Sequence, residues 1–424
     1  MRGMTAAYTS ELAEALSADV LDRLLRYVRI DTQSDRAYPE SPSTAGQLEL
    51  GRLLVEELHG LGLADAALDA NGFVTATLPG NVDGAPVIGL LAHLDTSPDE
   101  SGANVEPLVH RGYDGGVIAL PRRDTVLDPA RMPELTSKVG HDLVTTSGDT
   151  LLGADDKAGV AEIMAAVAYL AAHPELPRAT VRVGFTPDEE IGEGAKVFDI
   201  EAFGAACAYT LDGSELGEFT DETFTAASAD LVIHGVDVHP GFATGKLVSA
   251  ARLAGRVLAA LPAELTPEAT SEREGFIHVY SVAATAGKAT IRTIVRDFDD
   301  ELLGQHVALL RRIAEEVVAT EPRARLEVDV KEQYPNMRRF LDAHPGVSEA
   351  ALEAIRREGI EPVRVPVRGG TDGSILSSRG LPTPNLFTGG HEYHSVREWA
   401  SVHDMASAAA VAVRLTGVWA ERAG

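Results

Sequence analysis

The chain has 424 residues, of which 45% are apolar and 24% are charged, a composition typical of a globular protein with room for two or three domains. Its formal net charge of -27 argues against nucleic acid and anionic membrane surfaces as partners. No apolar run approaches the roughly 18 residues of a membrane span, and the opening segment MRGMTAAYTSELAEAL lacks the apolar core of a signal peptide. Because Cys207 is the single cysteine, no internal disulfide can form, and we expect a cytoplasmic location.

The predicted elements alternate between helices and short buried strands. Ser17 is predicted to cap the first helix, which carries apolar residues from Val20 to Val28, and a second helix is predicted to end near Gly60. Apolar runs bounded by turn residues then predict strands at 87–95, 180–190, 206–213 and 383–390. Helical patterns follow at 157–172 and in the segments PGVSEAALEAIRREG and DMASAAAVAVRLTGVWAE. This order predicts an α/β fold with a mostly parallel sheet.

The middle of the chain has a different pattern. A strand in TAASADLVIHGVDV is followed by a helix at about 245–261, a hairpin around Gly287, a helix at about 299–319 and a strand in RLEVDVKEQY. The order β-α-β-β-α-β makes a complete two-layer unit, so we predict a smaller inserted domain at 223–336. The catalytic domain is then discontinuous, at 1–222 and 337–424, and one continuous large sheet is the alternative. We expect the insert to serve as a lid or in dimerisation.

Acidic and histidine side chains follow the ends of the predicted strands, where ligands bind in open α/β sheets. Taken singly, each has an ordinary explanation as a core histidine, a solvated loop or a turn, and Asp155 with Asp156 could simply cap the following helix. Taken together, they favour a metal site. The candidates are His93, Asp95, Asp155, Asp156, Glu189, Glu190, Asp212, His391 and His394.

The residue types indicate which metal would bind. Two histidines with several carboxylates, and no pair of thiolates, suit Zn(II) or a similar divalent ion. Five ligands exceed one tetrahedral zinc and fit two ions, roughly 3.5–4 Å apart, that share a bridging carboxylate. His93 and Asp95 lie two apart on a strand and point the same way, so the Asp95 carboxylate can fix the imidazole. Of Glu189 and Glu190, one can bind metal while the other takes a proton from the metal-bound water.

Eight segments together resemble a known family: AHLDT, TLLGADDKAGVAEI, FTPDEEIGEGAK, TLDG, VHPG, IVRDFD, RGGTDGS and PNLFTGGHEYHS. They are similar to the dinuclear zinc peptidases, the family that also contains succinyl-diaminopimelate desuccinylase, acetylornithine deacetylase and glutamate carboxypeptidases, and within it to the tripeptide aminopeptidases. The resemblance runs from about residue 20 to the end of the chain. It implies a metal-dependent aminopeptidase with two Zn(II) per chain, in which a hydroxide bridging the metals releases the N-terminal residue from tripeptides.

The resemblance also implies a ligand set. His93 and Asp212 would bind one zinc, Glu190 and His394 would bind the other, and Asp155 would bridge the two. In this family the peptide bond between the two adjacent aspartates tends to be cis. His391, three residues before His394, departs from the pattern and could compete as a ligand. We favour His394, because the family places its ligand at the tyrosine–histidine step.

Further residues take roles in catalysis or substrate binding by the same resemblance. Asp95 would orient His93, Glu189 would be the general base, and His239 in VHPG would help to polarise the scissile carbonyl. Without the family, His239 would be interpreted as a turn histidine.

Two arginines are implied to hold the substrate carboxylate. Arg296 in IVRDFD and Arg368 in VRGGTDG suit that task because a guanidinium binds a carboxylate with two parallel hydrogen bonds. Asn336 in YPNM is a further substrate-binding candidate. The implied partners are short peptides, with no nucleic acid and no membrane, and a homodimer is left open. The alternatives are another amidohydrolase of the family (a deacylase, dipeptidase or carboxypeptidase) or a noncatalytic protein that binds metal or a small molecule.

Overall fold

The computed structural model describes residues 7–38 and 40–423. The chain forms two compact units. The first contains the described residues up to Asp221, the segment Arg339–Val365 and the described residues from Thr371 onward, and the second contains Glu222–Arg338 and Pro366–Gly370. Among the described helices, none combines the length and the apolar character needed to cross a membrane.

The helices and strands of the described residues are numbered here in chain order. The α-helices are α1 (Glu11–Tyr27), α2 (Ala45–Gly60), α3 (Ala154–Ala172), α4 (Gly194–Val197), α5 (Ile200–Phe203), α6 (Ala250–Ala260), α7 (Asp300–Ala319), α8 (Arg338–Leu341), α9 (Pro345–Arg357), α10 (Asp372–Ser378) and α11 (Val402–Glu421). The strands are β1 (Ala67–Leu68), β2 (Val74–Leu78), β3 (Ile88–His93), β4 (Leu108–His110), β5 (Ile118–Ala119), β6 (Val126–Leu127), β7 (Leu143–Thr145), β8 (Val181–Thr186), β9 (Cys207–Gly213), β10 (Glu218–Thr220), β11 (Thr225–His234), β12 (Phe276–Ala284), β13 (Lys288–Asp297), β14 (Arg325–Tyr334), β15 (Val363–Arg364), β16 (Asn385–Phe387), β17 (Gly390–His391) and β18 (Trp399–Ser401). Short 3-10 helices lie at Pro133–Lys138, Pro240–Phe242 and Ala263–Leu265.

The first unit is built on an eight-stranded sheet with the order β1-β2-β8-β3-β9-β16-β10-β15. Its four central strands, β8, β3, β9 and β16, are mutually parallel, and β3 is buried along its whole length. Helix α3 is buried on nearly every face, which accounts for its almost continuous apolar sequence. The predicted α/β fold with a mostly parallel sheet is confirmed, because buried parallel strands have the short apolar runs on which that prediction rests.

The same unit contains two small antiparallel sheets that the sequence does not predict. One has the order β17-β18-β7-β4 and the other pairs β5 with β6. Their strands have only two or three residues each, too few to show the alternation of apolar and polar residues by which a strand is recognised. Trp399 on β18 is fully buried within their apolar cluster.

The second unit has the predicted element order, β11-α6-β12-β13-α7-β14, arranged as an antiparallel sheet in the order β12-β13-β11-β14. Burial alternates along β11, so that Leu231 and Ile233 join the core that α6 and α7 cover. Helix α6 begins later than the predicted residue 245, at Ala250, where the Ser249 side chain accepts a hydrogen bond from the Arg252 backbone N–H.

The segment 366–370 belongs to the second unit, although the predicted insert ends at residue 336. Val367 pairs with the start of this unit: its backbone N–H donates to the Glu222 carbonyl at 3.0 Å, and its carbonyl accepts from the Phe224 N–H at 3.1 Å. Arg368 therefore lies in the same unit as Arg296. The sequence does not predict that the five residues 366–370 belong to the second unit. Their assignment depends on backbone pairing with a distant segment, and the local sequence does not indicate which segment that is.

Candidate metal centre

The parallel strands of the first unit deliver most of the candidate ligands. His93 is the last residue of β3, and Asp212 lies next to the end of β9. Glu189 and Glu190 follow β8, and His394 lies in the loop after β17. Because the carboxyl ends of parallel strands meet at one edge of the sheet, side chains that are far apart in the sequence converge there.

Asp155, at the start of α3, faces both histidines. Its Oδ1 lies 2.9 Å from Nε2 of His93, and its Oδ2 lies 3.2 Å from Nε2 of His394. Each histidine has a further carboxylate beside the same nitrogen: Asp212 at 3.7 Å from His93, and Glu190 at 3.0 Å from His394. The arrangement is two histidine–carboxylate pairs joined through one shared carboxylate.

The two adjacent aspartates have separate tasks. The peptide bond between Asp155 and Asp156 is cis, and neither residue has helical backbone angles. The Asp156 carboxylate accepts hydrogen bonds from the backbone N–H groups of Gly159 and His93, at 3.2 and 3.1 Å. Asp156 therefore caps the regular part of α3, which begins after the two non-helical aspartates, and holds the end of β3, while Asp155 faces the histidines. Asp156 also lies within 4.8 Å of ligand atoms of His93 and Asp212.

His391 lies in a different cluster from His394. Its Nε2 is 3.7 Å from a carboxylate oxygen of Glu215, and its ring stacks on Trp399. The ammonium group of Lys138 forms ion pairs with Glu215 and with Asp404, the latter at 2.8 Å. This cluster already contains its own cation, so His394 is the histidine that the structure brings to Asp155 and Glu190.

Asp95 contacts both His93, the residue that it is predicted to orient, and the loop of Glu189 and Glu190. Nδ1 of His93 is 3.0 Å from the backbone carbonyl of Asp95 and 3.4 Å from its carboxylate. Since a carbonyl oxygen can only accept, Nδ1 donates to it, and Nε2 is the ring nitrogen that faces Asp155 and Asp212. The Asp95 carboxylate also accepts hydrogen bonds from the backbone N–H groups of Glu189 and Glu190, at 2.9 and 3.2 Å. Asp95 thus positions both His93 and the glutamate loop.

Burial and mutual charge shift the acid–base properties of these groups. Burial raises the pKa of Glu189 well above its ordinary value, and burial likewise raises the pKa of Asp212. Hydrogen bonds to Asp155 and Glu190 raise the pKa of His394 to about 11. Burial would raise the pKa of Asp155, but hydrogen bonds from His394 and His93 hold it well below its usual range. The group is a largely buried cluster in which three carboxyl groups lie within 4 Å of two histidine rings.

The cluster fits a divalent cation. Oε1 of Glu190 is buried and has no hydrogen-bond partner among the described residues, although a buried carboxylate oxygen normally requires one. His93 is 2% exposed and the side chain of Glu190 is 5% exposed, so water cannot fully solvate either group. Imidazole nitrogens and carboxylate oxygens are ligands typical of zinc.

The remaining predicted residues lie in the second unit. His239 is exposed, and its Nδ1 accepts a hydrogen bond from the backbone N–H of Gly241 at 3.1 Å, so the N–H of the ring lies on Nε2. Both polar ends of the Asn336 side chain bond to the backbone, including the Phe298 carbonyl at 3.0 Å. These bonds give Asn336 a structural task that its sequence pattern does not indicate.

Three carboxylates close to the site are not indicated by the sequence. Asp99 lies 3.2 Å from Nδ1 of His394, and Asp372 accepts a hydrogen bond from Thr186, at the end of β8, at 2.7 Å. Glu398 accepts backbone N–H groups from the loop before α3. In an acidic chain with 64 Asp and Glu residues, none of the three stands out by type or spacing.

A parallel α/β sheet with histidines and carboxylates converging beyond its strand ends defines a metal-dependent hydrolase. Residues 148–417 match the family model of peptidase family M20/M25/M40. Peptidase T of Shouchella clausii (strain KSM-K16) is 48% identical over 409 residues, which cover 96% of this chain and 100% of that protein. The chain belongs to peptidase family M20/M25/M40 and is a metallopeptidase, as its sequence predicts.

Solved structures share the fold. Aminopeptidase PepT from Bacillus cereus ATCC 10987 superposes with a TM-score of 0.74 at 24% identity, covering 95% of this chain and 99% of that one. The Bacillus subtilis YXEP protein, a dinuclear metal binding peptidase of the M20 family, superposes with a TM-score of 0.63 at 18% identity, covering 96% and 99% of the two chains. These likenesses extend over both units of the chain.

Proposed function

We propose that this protein is an aminopeptidase that releases the N-terminal residue from tripeptides and holds two Zn(II) ions per chain. The observation that carries the dinuclear proposal is Asp155, whose two carboxylate oxygens face His93 and His394 separately. One ion would bind His93 and Asp212, the other Glu190 and His394. The tripeptide substrate is supported by the 48% identity to Peptidase T along nearly the whole chain.

The bound metals would supply a Lewis acid for the scissile carbonyl and a water of lowered pKa. Glu189, held by the Asp95 carboxylate through its backbone N–H, takes the proton from the attacking water and returns it to the leaving amine. Its raised pKa makes it a stronger base than an exposed glutamate. His239 would donate its Nε2–H to the developing oxyanion.

The proposed carboxylate grip rests on Arg296 and Arg368. Among the described residues, no ion pair involves Arg296 or Arg368, although the chain has a large excess of acids. Arg273 shows the contrast, because Glu222 neutralises it with two hydrogen bonds. Arg368 donates to Thr270 and to the Glu274 carbonyl, while its buried Nε has no partner within the described part of the chain.

The second unit would then act as the lid or dimerisation domain that brings these residues to a substrate. A site that binds both the N-terminal and the C-terminal end of a peptide would select its substrates by length. We also propose a cytoplasmic location, because a single cysteine cannot form an internal disulfide, as is usual in a reducing compartment.

The test is a hydrolysis panel with metal analysis of the same sample. Free dipeptides, tripeptides and tetrapeptides are compared with N-acetylated tripeptides and tripeptide amides. We expect the free tripeptide to be hydrolysed fastest, with release of its N-terminal residue. Faster cleavage of the acetylated peptide would indicate a deacylase. Release of the C-terminal residue would indicate a carboxypeptidase, and the absence of any hydrolysis would indicate a binding protein.

A further inference from the structure

Glu398 is a buried acid that belongs to no ligand pair. Its residue is 1% exposed, and it lies just before β18. Oε2 accepts the backbone N–H groups of Leu152 and Gly153 at 2.7 and 2.8 Å, and Oε1 accepts that of Asp155 at 3.0 Å. One carboxylate therefore satisfies three backbone donors in the turn that leads into α3.

These donors have few alternative partners. Gly153 has a φ of 82°, the left-handed conformation that favours glycine, so the turn departs from regular structure immediately before Asp155. A buried N–H without a partner is costly, and a carboxylate is an acceptor with lone pairs on both oxygens. No other side chain accepts a hydrogen bond from these three N–H groups among the described residues.

Glu398 also links two candidate ligands. It lies four residues after His394, and its own backbone N–H donates to the Ser395 carbonyl at 3.2 Å. The short segment from His394 to Glu398 is thereby joined to the Asp155 turn, which is 243 residues away in sequence. Asp155 and His394, with Nε2 of the histidine 3.2 Å from Oδ2 of the aspartate, lie on the two segments that this hydrogen bond joins.

We propose that Glu398 is a positioning residue that fixes the bridging carboxylate of Asp155 relative to His394 and so sets the metal affinity of the site. This inference rests on the proposed function for the identity of the ligands. The hydrogen bonds of Glu398 go to the backbone of the Asp155 turn and to no ligand side chain. Groups that orient metal ligands typically account for 10- to 100-fold in metal affinity.

The experiment compares Glu398→Gln and Glu398→Asp with the wild type. The amide keeps the size of the side chain but places an NH₂ group against backbone donors, and the shorter acid cannot reach all three N–H groups. Glu358→Gln is the matched control, because Glu358 is also 1% exposed and accepts hydrogen bonds from Thr9, Ser10 and Arg414 instead.

Zn(II) dissociation constants are measured by competition with a chromogenic chelator, and the visible absorption of Co(II)-loaded protein reports ligand geometry. We expect both Glu398 variants to bind Zn(II) about 10- to 100-fold more weakly and to shift the Co(II) spectrum, while Glu358→Gln does neither. The melting temperature of each metal-free variant separates this effect from loss of fold.

Wild-type zinc affinity and an unchanged Co(II) spectrum in both Glu398 variants would overturn the proposal. Equal weakening in Glu358→Gln would also overturn it, because the effect would then be one of general stability. These readouts need no peptide. If the Glu398 variants bind zinc more weakly but the wild-type protein hydrolyses no tripeptide, the proposed substrate is refuted. The inference about Glu398 would still stand.

Discussion

Glu189 and Glu190 are neighbours in sequence, yet their side chains have different surroundings. Glu190 lies 3.0 Å from His394 and has a buried oxygen without a partner among the described residues, whereas Glu189 is half-buried and has no ion pair to either histidine within that part of the chain. We expect Glu189→Gln to retain metal and bind substrate with little change in KM, while kcat falls roughly 10²- to 10⁴-fold, the usual contribution of general acid–base catalysis. Metal content, KM and kcat are measured on the same preparation.

Glu190→Gln is the control for this prediction. It removes a ligand, so it should lower metal content, and added zinc should partly restore its activity. Zinc should not help Glu189→Gln. Loss of metal from Glu189→Gln alone would show that the two roles are reversed.

The guanidinium of Arg368, which forms no ion pair with any described residue, leads to a prediction about substrate length. If it binds the C-terminal carboxylate, wild-type enzyme should prefer a tripeptide over its amide by roughly 10- to 150-fold, the equivalent of about 1.5–3 kcal/mol for a charge-assisted hydrogen bond. Arg368→Ala should reduce that preference in kcat/KM towards unity. Arg292, an exposed arginine on β13, is the matched control, and Arg292→Ala should keep the preference. An equal preference in all three proteins would refute the assignment.

At the level of elements, the approach of α3 to β9 depends on Gly159. A Cβ built there would lie 1.9 Å from the Leu211 carbonyl oxygen and 2.5 Å from the Asp156 carboxylate. The helix or the strand would have to move, and both carry site residues. We expect Gly159→Ala to lower the free energy of unfolding by about 1–3 kcal/mol or more and to reduce metal binding, as measured by calorimetry and metal analysis.

Gly417 in α11 is the matched helical glycine of the same unit. A Cβ added there would have the Pro177 carbonyl oxygen as its nearest neighbour at 3.6 Å, an ordinary contact. Gly417→Ala should therefore stabilise the protein by about 0.4–1 kcal/mol, because alanine loses less conformational freedom on folding. A similar destabilisation by both substitutions would contradict the argument from packing.

The start of helix α1 is an element boundary that the local sequence does not predict correctly. The sequence predicts that Ser17 begins the first helix, but α1 begins at Glu11, where Ser10 accepts the Ala13 N–H at 3.1 Å. The Ser17 hydroxyl donates to the Glu14 carbonyl within the helix at 2.7 Å. The prediction is wrong because a serine can satisfy its hydroxyl either as a cap or one turn inside a helix.

For the whole molecule, the charge of the centre predicts its response to metal removal. Asp155, Glu190 and Asp212 converge with Glu189 in a chain of net charge -27. Chelation should abolish activity, and Zn(II) or Co(II) should restore it. Because an ion that binds the folded state stabilises it, chelation should also lower the melting temperature. Metal analysis of active protein that finds at most one ion per chain would contradict the dinuclear proposal.

Fold class and family follow from local features of the chain. Apolar runs and their turn residues predict the strands β3, β8 and β9, because burial on both faces of a parallel sheet demands such runs. The candidate ligands can be selected from the sequence by itself, since they follow the ends of those strands. The second unit is predicted in the same way, from the order of its elements.

Contacts between distant segments are decided only by the folded chain. Residue type does not separate His391 from His394; the family resemblance favours His394, and the folded backbone places His394 beside Asp155 and His391 beside Glu215. The hydrogen bonds of Glu398 join residues 243 to 246 apart, and Arg368 enters the second unit through the pairing of Val367. Such contacts cannot be predicted from local sequence, because many acids, arginines and short strands in the chain could form them. The geometry of the folded backbone determines which of these residues come into contact.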